Sequence, residues 1–515
     1  MTSSDAIVIG GGHNGLVAAG VLAKAGRRVL VLEASGAVGG PARTEEFAPG
    51  FHASTAHVLN RLHPEVMKAL GLALDRETSA PTTLLSERGP LVLRGAYGET
   101  IEGDVPERER QAWAGLRAQL IRYAGVLKPF LARNPPNLGG VALAEKLALG
   151  SAALGIKRLG REDMRDFLRM LLMNVHDVAE EQLTDDRLKG LLAFDATLGI
   201  HLGPRSPTSL LGLYYRLAGE AGGQPGAQVV PAGGMGAVVD ALRSAAERAG
   251  ATIRTEAPVA RILVEQGRAV GVVLESGETI AAGTIVSAID PRTTLIGLVG
   301  PREIDTGVVQ KARAIRMHGD AAKLHLALDR VPEFTGVAME ALRGRLVIAP
   351  SSDHVERAFN PAKYGEFSSE PVMEITLPSV VDPGMAPPGA CVLSVIVQYA
   401  PYALKGGWEA GKPAFLRAIM EVLERHAPGI GGLVRHAELL TPADIEARWR
   451  TPGGHWHHGE LQVDQMLMNR PFFGAEQYAA PIDGLWLASA GVHPGGGVSG
   501  VPGLNAARAV LRGRG

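Results

Sequence analysis

The chain of 515 residues has a single cysteine, Cys391. One thiol excludes an internal disulfide, the paired-cysteine chemistry of disulfide reductases, and iron–sulfur or multi-cysteine metal sites. An excess of charge of one sign is also missing, because 52 Lys and Arg residues stand against 53 Asp and Glu residues. With no general basic field to attract a polyanion, we predict no nucleic-acid partner.

Aromatic residues are scarce at 5%, so a long apolar pocket has to be lined mainly by Leu, Val, Ile and Met. No apolar run is long enough to span a bilayer. Residues 1–5 form a short polar lead into the first apolar run, from which we expect no cleaved signal peptide and a cytoplasmic location. The length and a hydrophobic content of 46% predict a folded protein of at least two domains.

Glycine is abundant, and its first concentration lies near the start of the chain. Ala6–Ile9 has the pattern of a buried parallel strand and runs into the loop Gly10-Gly11-Gly12-His13-Asn14-Gly15, which fits G-x-G-x-x-G. An Ala- and Leu-rich helix is predicted over Leu16–Ala25, and a second strand over Arg28–Leu32 leads to Glu33. Strand, glycines, helix, strand and acid in this order predict an ADP-binding βαβ unit.

Each part of this unit has a physical task. Gly10 permits the tight turn, Gly12 lets the backbone approach a pyrophosphate, and Gly15 lets the helix pack closely on the strand. The helix N-terminus offers N–H groups and partial positive charge to the phosphates, and Glu33 can accept hydrogen bonds from the ribose. We assign cofactor binding here to Gly10, Gly12, His13, Asn14, Gly15, Glu33 and Ala34.

A second glycine pair, Gly39-Gly40, follows close behind Glu33, and Arg43 comes shortly after it. Binding of NAD does not need this pair, whereas a cofactor that continues past the pyrophosphate does, and Arg43 can reach a phosphate oxygen. The pair therefore favours FAD over NAD, with an ordinary loop as the alternative. Near the other end, a strand over Leu485–Ala490 runs into the glycine-rich stretch 491–503 and a helix over Leu504–Leu511. Backbone donors at this turn suit an oxyanion or the edge of a flavin ring.

With these motifs the chain resembles the FAD-dependent phytoene desaturase and carotenoid oxidoreductase family, within the amine-oxidase-like flavoproteins. Its Gly-His-Asn-Gly-Leu loop is similar to that of the desaturase-like β-carotene ketolases and of the pyridine nucleotide-disulfide oxidoreductase domain-containing proteins. Two positions depart from the pattern, since Pro41 stands where many relatives have Arg, and Val492 where they often have an acid. The resemblance implies cofactor contacts at Val259 and in the C-terminal loop, at Gly491, Pro494, Gly496, Gly497, Val498 and Val501.

The fold class predicted from motifs and resemblance is α/β. A discontinuous Rossmann-type, glutathione-reductase-like FAD-binding domain comprises residues 1–71, 226–300 and 466–515. A substrate domain with a mixed sheet and a helical lid comprises residues 72–225 and 301–465. Helical periodicity dominates residues 72–217, including Arg108–Ala132, Leu143–Leu154, Glu162–Met173 and Asp186–Phe194. Strands are predicted over Val259–Val264, Ala269–Glu275 and Thr279–Ser287, and the glycines around Met235 have the wrong spacing for an NADPH site.

Basic residues are interspersed with apolar ones between Lys146 and Arg169. Such an amphipathic surface suits peripheral membrane contact, and a solvated helix face is the alternative. The sequence gives no sign of oligomeric state.

The densest ionisable cluster is Gly454-His455-Trp456-His457-His458-Gly459-Glu460. A metal site needs a turn here, because in a strand His455 and His457 share a face opposite His458, and we predict no metal. The resemblance places a His-Gly step near the flavin, so that His458 can move a proton, and it places His57 in a second segment near the flavin. A structural role is the alternative for both histidines, as it is for His493.

These features predict an FAD-dependent oxidoreductase that dehydrogenates a hydrophobic small molecule, such as a carotenoid, another isoprenoid or a lipid-like chain. The expected chemistry is hydride transfer to the flavin, with oxygen, a quinone or another acceptor reoxidising it. Ketolation is implied by resemblance to one branch. Amine oxidation is an alternative that requires paired aromatic residues facing the flavin, and a flavin-binding interaction protein without turnover is another.

Overall fold

A computed structural model describes residues 4–56, 62–72, 80–131, 133–135, 150, 153–221 and 223–513. The candidate His57, the basic residue Lys146 and most of the helix predicted over Leu143–Leu154 lie outside these ranges. Within them, no helix is both long and apolar enough to cross a membrane.

The first predicted strand, Ala6–Ile9, lies at the centre of a five-stranded parallel sheet. The order across this sheet is Thr252–Arg254, Val29–Leu32, Ala6–Ile9, Thr284–Ser287 and Leu485–Leu487. The central strand is apolar at every position because both of its faces are covered. Val8 packs towards the helices His13–Lys24 and Val501–Leu511, whereas Ile7 and Ile9 pack towards a three-stranded antiparallel sheet.

That smaller sheet contains Val259–Glu265, Arg268–Leu274 and Thr279–Ala281. The prediction of one strand over Thr279–Ser287 is wrong. The chain breaks at Ala282-Gly283, and Thr284–Ser287 joins the parallel sheet instead. Both halves are apolar, so the pattern of side chains did not reveal that they pair with different sheets.

The segments predicted to form the substrate domain contribute an eight-stranded mixed sheet. Its strand order is Val434–Leu440, Ala321–Leu328, Cys391–Gln398, Val372–Thr376, Arg345–Ile348, Thr82–Leu84, Leu91–Arg94 and Thr100–Glu102. The last three strands fall in the segment predicted to be mainly helical. All three are short, and Thr82–Leu84 joins them to the sheet by pairing with Arg345–Ile348, about 260 positions away. The contact that anchors them is therefore remote in sequence.

The two faces of this sheet differ in chemistry. Leu324, Leu326 and Ile375 point to an apolar core beneath the helix Trp408–His426. Alternate positions on the same strands, including Lys323 and Glu374, point the other way because successive side chains of a strand lie on opposite faces. The sheet therefore presents a polar face to the helices of the substrate domain.

The described helices begin and end as follows: His13–Lys24, Pro64–Leu70, Glu107–Leu131, Arg161–Met170, Val175–Gln182, Asp186–Thr197, Leu210–Leu217, Gly234–Arg248, Thr306–Ala314, Ser352–Phe359, Pro378–Val381, Trp408–His426, Pro442–Trp449 and Val501–Leu511. Thr293–Val299 forms a π-helical segment. A two-stranded hairpin, Thr44–Ala48 with Phe51–Ser54, follows the second glycine pair.

Candidate active site

The glycine-rich segments near the two ends of the chain pack against each other. A Cβ added at Gly15 would lie 2.0 Å from the Gly10 carbonyl oxygen, and one at Gly503 would lie 2.0 Å from the Asn14 carbonyl oxygen. Neither position has room for a side chain, because a contact of this length is a steric clash. The helices His13–Lys24 and Val501–Leu511 therefore approach closely beside the dinucleotide loop.

Glu33 lies against the same loop. The Gly11 N–H donates to Glu33 Oε2 at 2.7 Å, and the Ser35 N–H donates to Oε1 at 2.9 Å. The Gly39 N–H donates to the Gly11 carbonyl at 2.9 Å, which brings the second glycine pair onto the first. The Ala257 N–H donates to the Glu33 carbonyl at 2.9 Å, so the strand that begins at Val259 also starts beside this acid.

Arg43 lies at the edge of this cluster. Its guanidinium donates to Glu45 Oε1 at 2.7 Å, to the Ser35 hydroxyl at 2.9 Å and to the Ala37 carbonyl at 3.0 Å, and it stacks 4.6 Å from the ring centre of Trp449. A phosphate contact from this side chain stays a prediction, and the carboxylate of Glu45 already neutralises its charge in this arrangement.

One cavity brings many of the predicted site residues together. Its lining includes Gly12, His13, Asn14, Gly39, His458, Gly496, Gly497 and Val498. The other candidates within the described residues do not line the cavity; they are Gly10, Gly15, Glu33, Ala34, Gly40, Arg43, Val259, Gly491, Pro494 and Val501. In the segments predicted to form the substrate domain, the lining includes the aliphatic residues Leu198, Ile200, Ile396 and Leu461, together with charged and aromatic side chains.

The residues around the dinucleotide loop fit an FAD pyrophosphate. A Cβ added at Gly12 would meet no atom within 4 Å, so the backbone here borders open space. The helix His13–Lys24 has no capping side chain and no acid in its first turn, which leaves its N–H groups and partial positive charge for a ligand. Asn14 Oδ1 and His13 Nε2 are buried without a hydrogen-bond partner, as polar atoms awaiting a ligand would be.

His458 lines the same cavity as the dinucleotide loop. Burial away from bulk water, assisted by the nearby His13 and by the Arg470 cation, lowers the pKa of His458 to about 3. The imidazole is therefore neutral at neutral pH, and its Nδ1 is buried without a partner. The backbone of His458 is left-handed at φ 54°, a strained conformation for a residue other than glycine.

Arg470 holds this strained turn in place. Its guanidinium donates to the carbonyls of His457 at 2.6 Å and Gly459 at 3.2 Å, and to that of Ala490 in the cavity wall at 2.7 Å. It also donates to the Glu460 carbonyl at 2.8 Å and the Gln465 carbonyl at 3.1 Å. Burial lowers the pKa of Arg470 to about 10, so the side chain remains a cation. Nothing in the local sequence indicates this role.

Three further histidines of the described chain have structural partners. His455 Nε2 lies 3.2 Å from Glu460 Oε1, and both side chains are buried. The nitrogen His493 Nε2 lies 2.7 Å from the Phe130 carbonyl at the end of the helix Glu107–Leu131. His493 thus ties the C-terminal loop to the substrate domain. His201 lies away from the cavity lining and pairs with Asp320 at 2.9 Å.

Sequence reasoning missed a group of buried charges that also line the cavity. Asp195, Arg216 and Glu374 are exposed by 3%, 9% and 2%. Arg345 lies behind them and pairs with both acids. A signal was available, since Asp195 and Arg216 are isolated charges within otherwise apolar helical stretches. Their shared location was not predictable, because 150 positions separate Asp195 from Arg345.

Comparison with known proteins places this site in a family. A family model described as flavin containing amine oxidoreductase matches residues 15–511. The chain belongs to this family. It is 32% identical, over 99% of its length and 93% of the relative's, to pyridine nucleotide-disulfide oxidoreductase domain-containing protein 2 of Mus musculus. It is 28% identical, over 97% of its length and 92% of the relative's, to the phytoene desaturase (neurosporene-forming) of Cereibacter sphaeroides.

The fold of this flavin-containing family is also found in a crystal structure of an oxidoreductase from Methanosarcina mazei. That structure matches with a TM-score of 0.61 at 16% identity and covers 98% of this chain and 99% of its own. These findings confirm the predicted family, the α/β fold, FAD as the cofactor and the assignment as an FAD-dependent oxidoreductase. The roles of individual site residues stay predictions.

Proposed function

We propose that this FAD-dependent oxidoreductase dehydrogenates a hydrophobic substrate of the isoprenoid or lipid class. The observation that carries the proposal is the continuity of one cavity, from the dinucleotide loop at Gly12 to an aliphatic wall at Leu198, Ile200 and Ile396. Aliphatic side chains favour an apolar chain of similar character by removing its surface from water. The similarity to a phytoene desaturase supports the same substrate class.

When bound, FAD supplies the acceptor for the two electrons and the hydrogen removed from a substrate C–H bond. The loops at Gly12 and Gly496 hold the cofactor, and the aliphatic wall positions the substrate chain and excludes water. Loss of a hydride makes the neighbouring C–H bond strongly acidic. A weak base is then sufficient, and Nδ1 of neutral His458 takes the proton in this proposal.

The test is anaerobic photometry of the purified holoenzyme against polyenes, fatty acids and amines. We expect a polyene or acyl substrate to bleach the visible flavin spectrum, and oxygen or a quinone to restore it. His458→Gln should bind FAD normally and slow bleaching by about 100-fold or more, the usual contribution of a positioned base. His354→Gln is the matched control, because His354 lies outside the cavity lining and contacts the Glu370 carbonyl. Bleaching by amines alone would refute the proposed substrate class.

Amine oxidation is a second candidate, favoured by one observation. Tyr215 and Trp456 both line the cavity, and an aromatic pair near the flavin is the feature that this alternative requires. The Tyr215 hydroxyl, however, donates to the Gly496 carbonyl at 2.7 Å, which fixes it to the cofactor loop. Replacing Trp456 with Leu should impair amine turnover severely and chain dehydrogenation only weakly.

A further inference from the structure

The cavity has one wall that a purely hydrocarbon substrate does not match. Asp195 and Arg216 come from the helices Asp186–Thr197 and Leu210–Leu217, and Glu374 comes from the polar face of the eight-stranded sheet. All three line the cavity and are at least nine-tenths buried. Placing hydrocarbon against charged groups removes their water and returns no hydrogen bond, which is unfavourable.

The two acids of this wall already have a strong partner. Arg345 donates from both terminal nitrogens to Asp195, at 2.8 and 2.7 Å, and from Nη1 to Glu374 Oε2 at 2.6 Å. These short, charge-assisted bonds occupy the carboxylates. Neither acid is therefore available as the main ligand of a substrate cation.

Arg216 is bound less completely. Its Nη2 lies 3.4 Å from Glu374 Oε2, and its Nε lies 3.3 Å from Asp195 Oδ1 without the alignment of a hydrogen bond. A guanidinium has five N–H donors, and the long contacts to acids already held by Arg345 leave donor capacity facing the cavity. Arg216 is thus the group in this wall that is best placed to bind an acceptor.

The charged groups of the wall carry no excess of negative charge that would repel an anion. The cations of Arg216 and Arg345 balance the carboxylates of Asp195 and Glu374, and the fully buried Lys323 interacts electrostatically with Glu374. Burial lowers the pKa of Lys323 well below its usual value, and an incoming anion favours its protonated form. A planar guanidinium binds a carboxylate through two parallel hydrogen bonds.

We infer that the substrate is an apolar chain that ends in a carboxylate, and that Arg216 binds this carboxylate. The inference rests on the proposed function, which it narrows from hydrophobic molecules in general to chain acids. The aliphatic wall holds the chain, and the polar wall fixes which end enters and therefore which carbon lies near the cofactor.

The experiment uses the FAD-loaded protein and three probes of equal chain length: oleate, octadecene and oleylamine. Binding is followed by the change in the visible flavin spectrum. We expect oleate to bind about 10- to 100-fold more tightly than octadecene, the usual effect of a hydrogen bond to a charged group. In Arg216→Met this ratio should fall to about threefold or less, while octadecene affinity and FAD content are unchanged. Arg216→Lys should retain part of the preference.

Arg243→Met is the control, because Arg243 is an exposed residue on the helix Gly234–Arg248 and pairs only with Asp240 among the described residues. Equal affinities for oleate and octadecene in the wild type, together with bleaching by a polyene, would overturn the carboxylate inference and leave the proposed function standing. Tighter binding of oleylamine, together with bleaching by amines alone, would overturn both. Loss of the oleate preference in Arg243→Met as well as Arg216→Met would also refute the role of Arg216.

Discussion

Replacement of Gly12 with Ala tests the cofactor site with the smallest possible change. Gly12 has φ −67° and ψ 171°, a conformation that alanine adopts without strain. The new Cβ meets no protein atom within 4 Å, so the fold has room for it. The added methyl group instead enters the space where the pyrophosphate of FAD is predicted to approach the backbone.

The expected effects on folding and on binding differ in size. Alanine is a poorer N-cap than glycine, so the free energy of unfolding of the apoprotein should fall by less than about 1 kcal/mol. A phosphate displaced by the methyl group loses at least one charge-assisted hydrogen bond to the helix N-terminus, about 1.5–3 kcal/mol. That loss raises the Kd for FAD about 10- to 150-fold.

Flavin fluorescence titration of the apoprotein measures this Kd, and urea unfolding measures its stability. Gly36→Ala is the matched control, because Gly36 is exposed on the same segment and its added Cβ also meets nothing within 4 Å. An unchanged Kd in Gly12→Ala would show that the pyrophosphate lies elsewhere. An equal rise of the Kd in Gly36→Ala would show that the effect is not specific to the dinucleotide loop.

Three further predictions concern acid stability, a buried cation and a surface. Burial lowers the pKa values of His13, His458 and His493 to about 4, 3 and 4. Below pH 6.5 these histidines therefore take up protons in the unfolded chain but not in the folded protein. The free energy of unfolding, measured with urea, should therefore fall by roughly 4 kcal/mol per pH unit between pH 6 and 5, as expected for three protons. A fall that corresponds to less than one proton, about 1.4 kcal/mol per pH unit, would contradict this. Arg470→Lys should lower the free energy of unfolding by about 3 kcal/mol or more, because an ammonium cannot satisfy five carbonyls. An unchanged urea midpoint would refute the role of Arg470 in supporting the turn at His458. Replacing Leu168 and Leu172, exposed by 50% and 66%, with Ser should reduce sedimentation with anionic vesicles if this basic surface contacts membranes, whereas equal sedimentation would argue against such contact.

The sequence predicted those parts of the site whose residues lie close together along the chain. Gly10, Gly12 and Gly15 lie within a few positions of each other, and their spacing matches one turn between a strand and a helix. The structure adds the steric reason, since a Cβ at Gly15 would collide with the Gly10 carbonyl. The C-terminal loop was predictable for the same reason, because strand, glycines and helix follow one another directly.

The charged wall and the support beneath His458 depend on contacts between distant segments. Arg345 meets Asp195 across 150 positions, and the prediction of helices over residues 72–217 gave no means of placing that pair. Within the part of the chain that the structure describes, the hydrogen bonds of the Arg470 guanidinium all go to backbone carbonyl groups, which leave no signature in the sequence. Both features arise from topology, which a single sequence encodes only indirectly.

The placement of the cavity wall constrains the order of events during synthesis. Gly12 and Val498 line the same cavity although nearly the whole chain separates them, and Gly503 closes on Asn14. A ribosome that has made the first βαβ unit has therefore made only one side of the cofactor site. The other side forms only once the helix Val501–Leu511 has left the exit tunnel, so a chain that has emerged without this helix cannot enclose FAD.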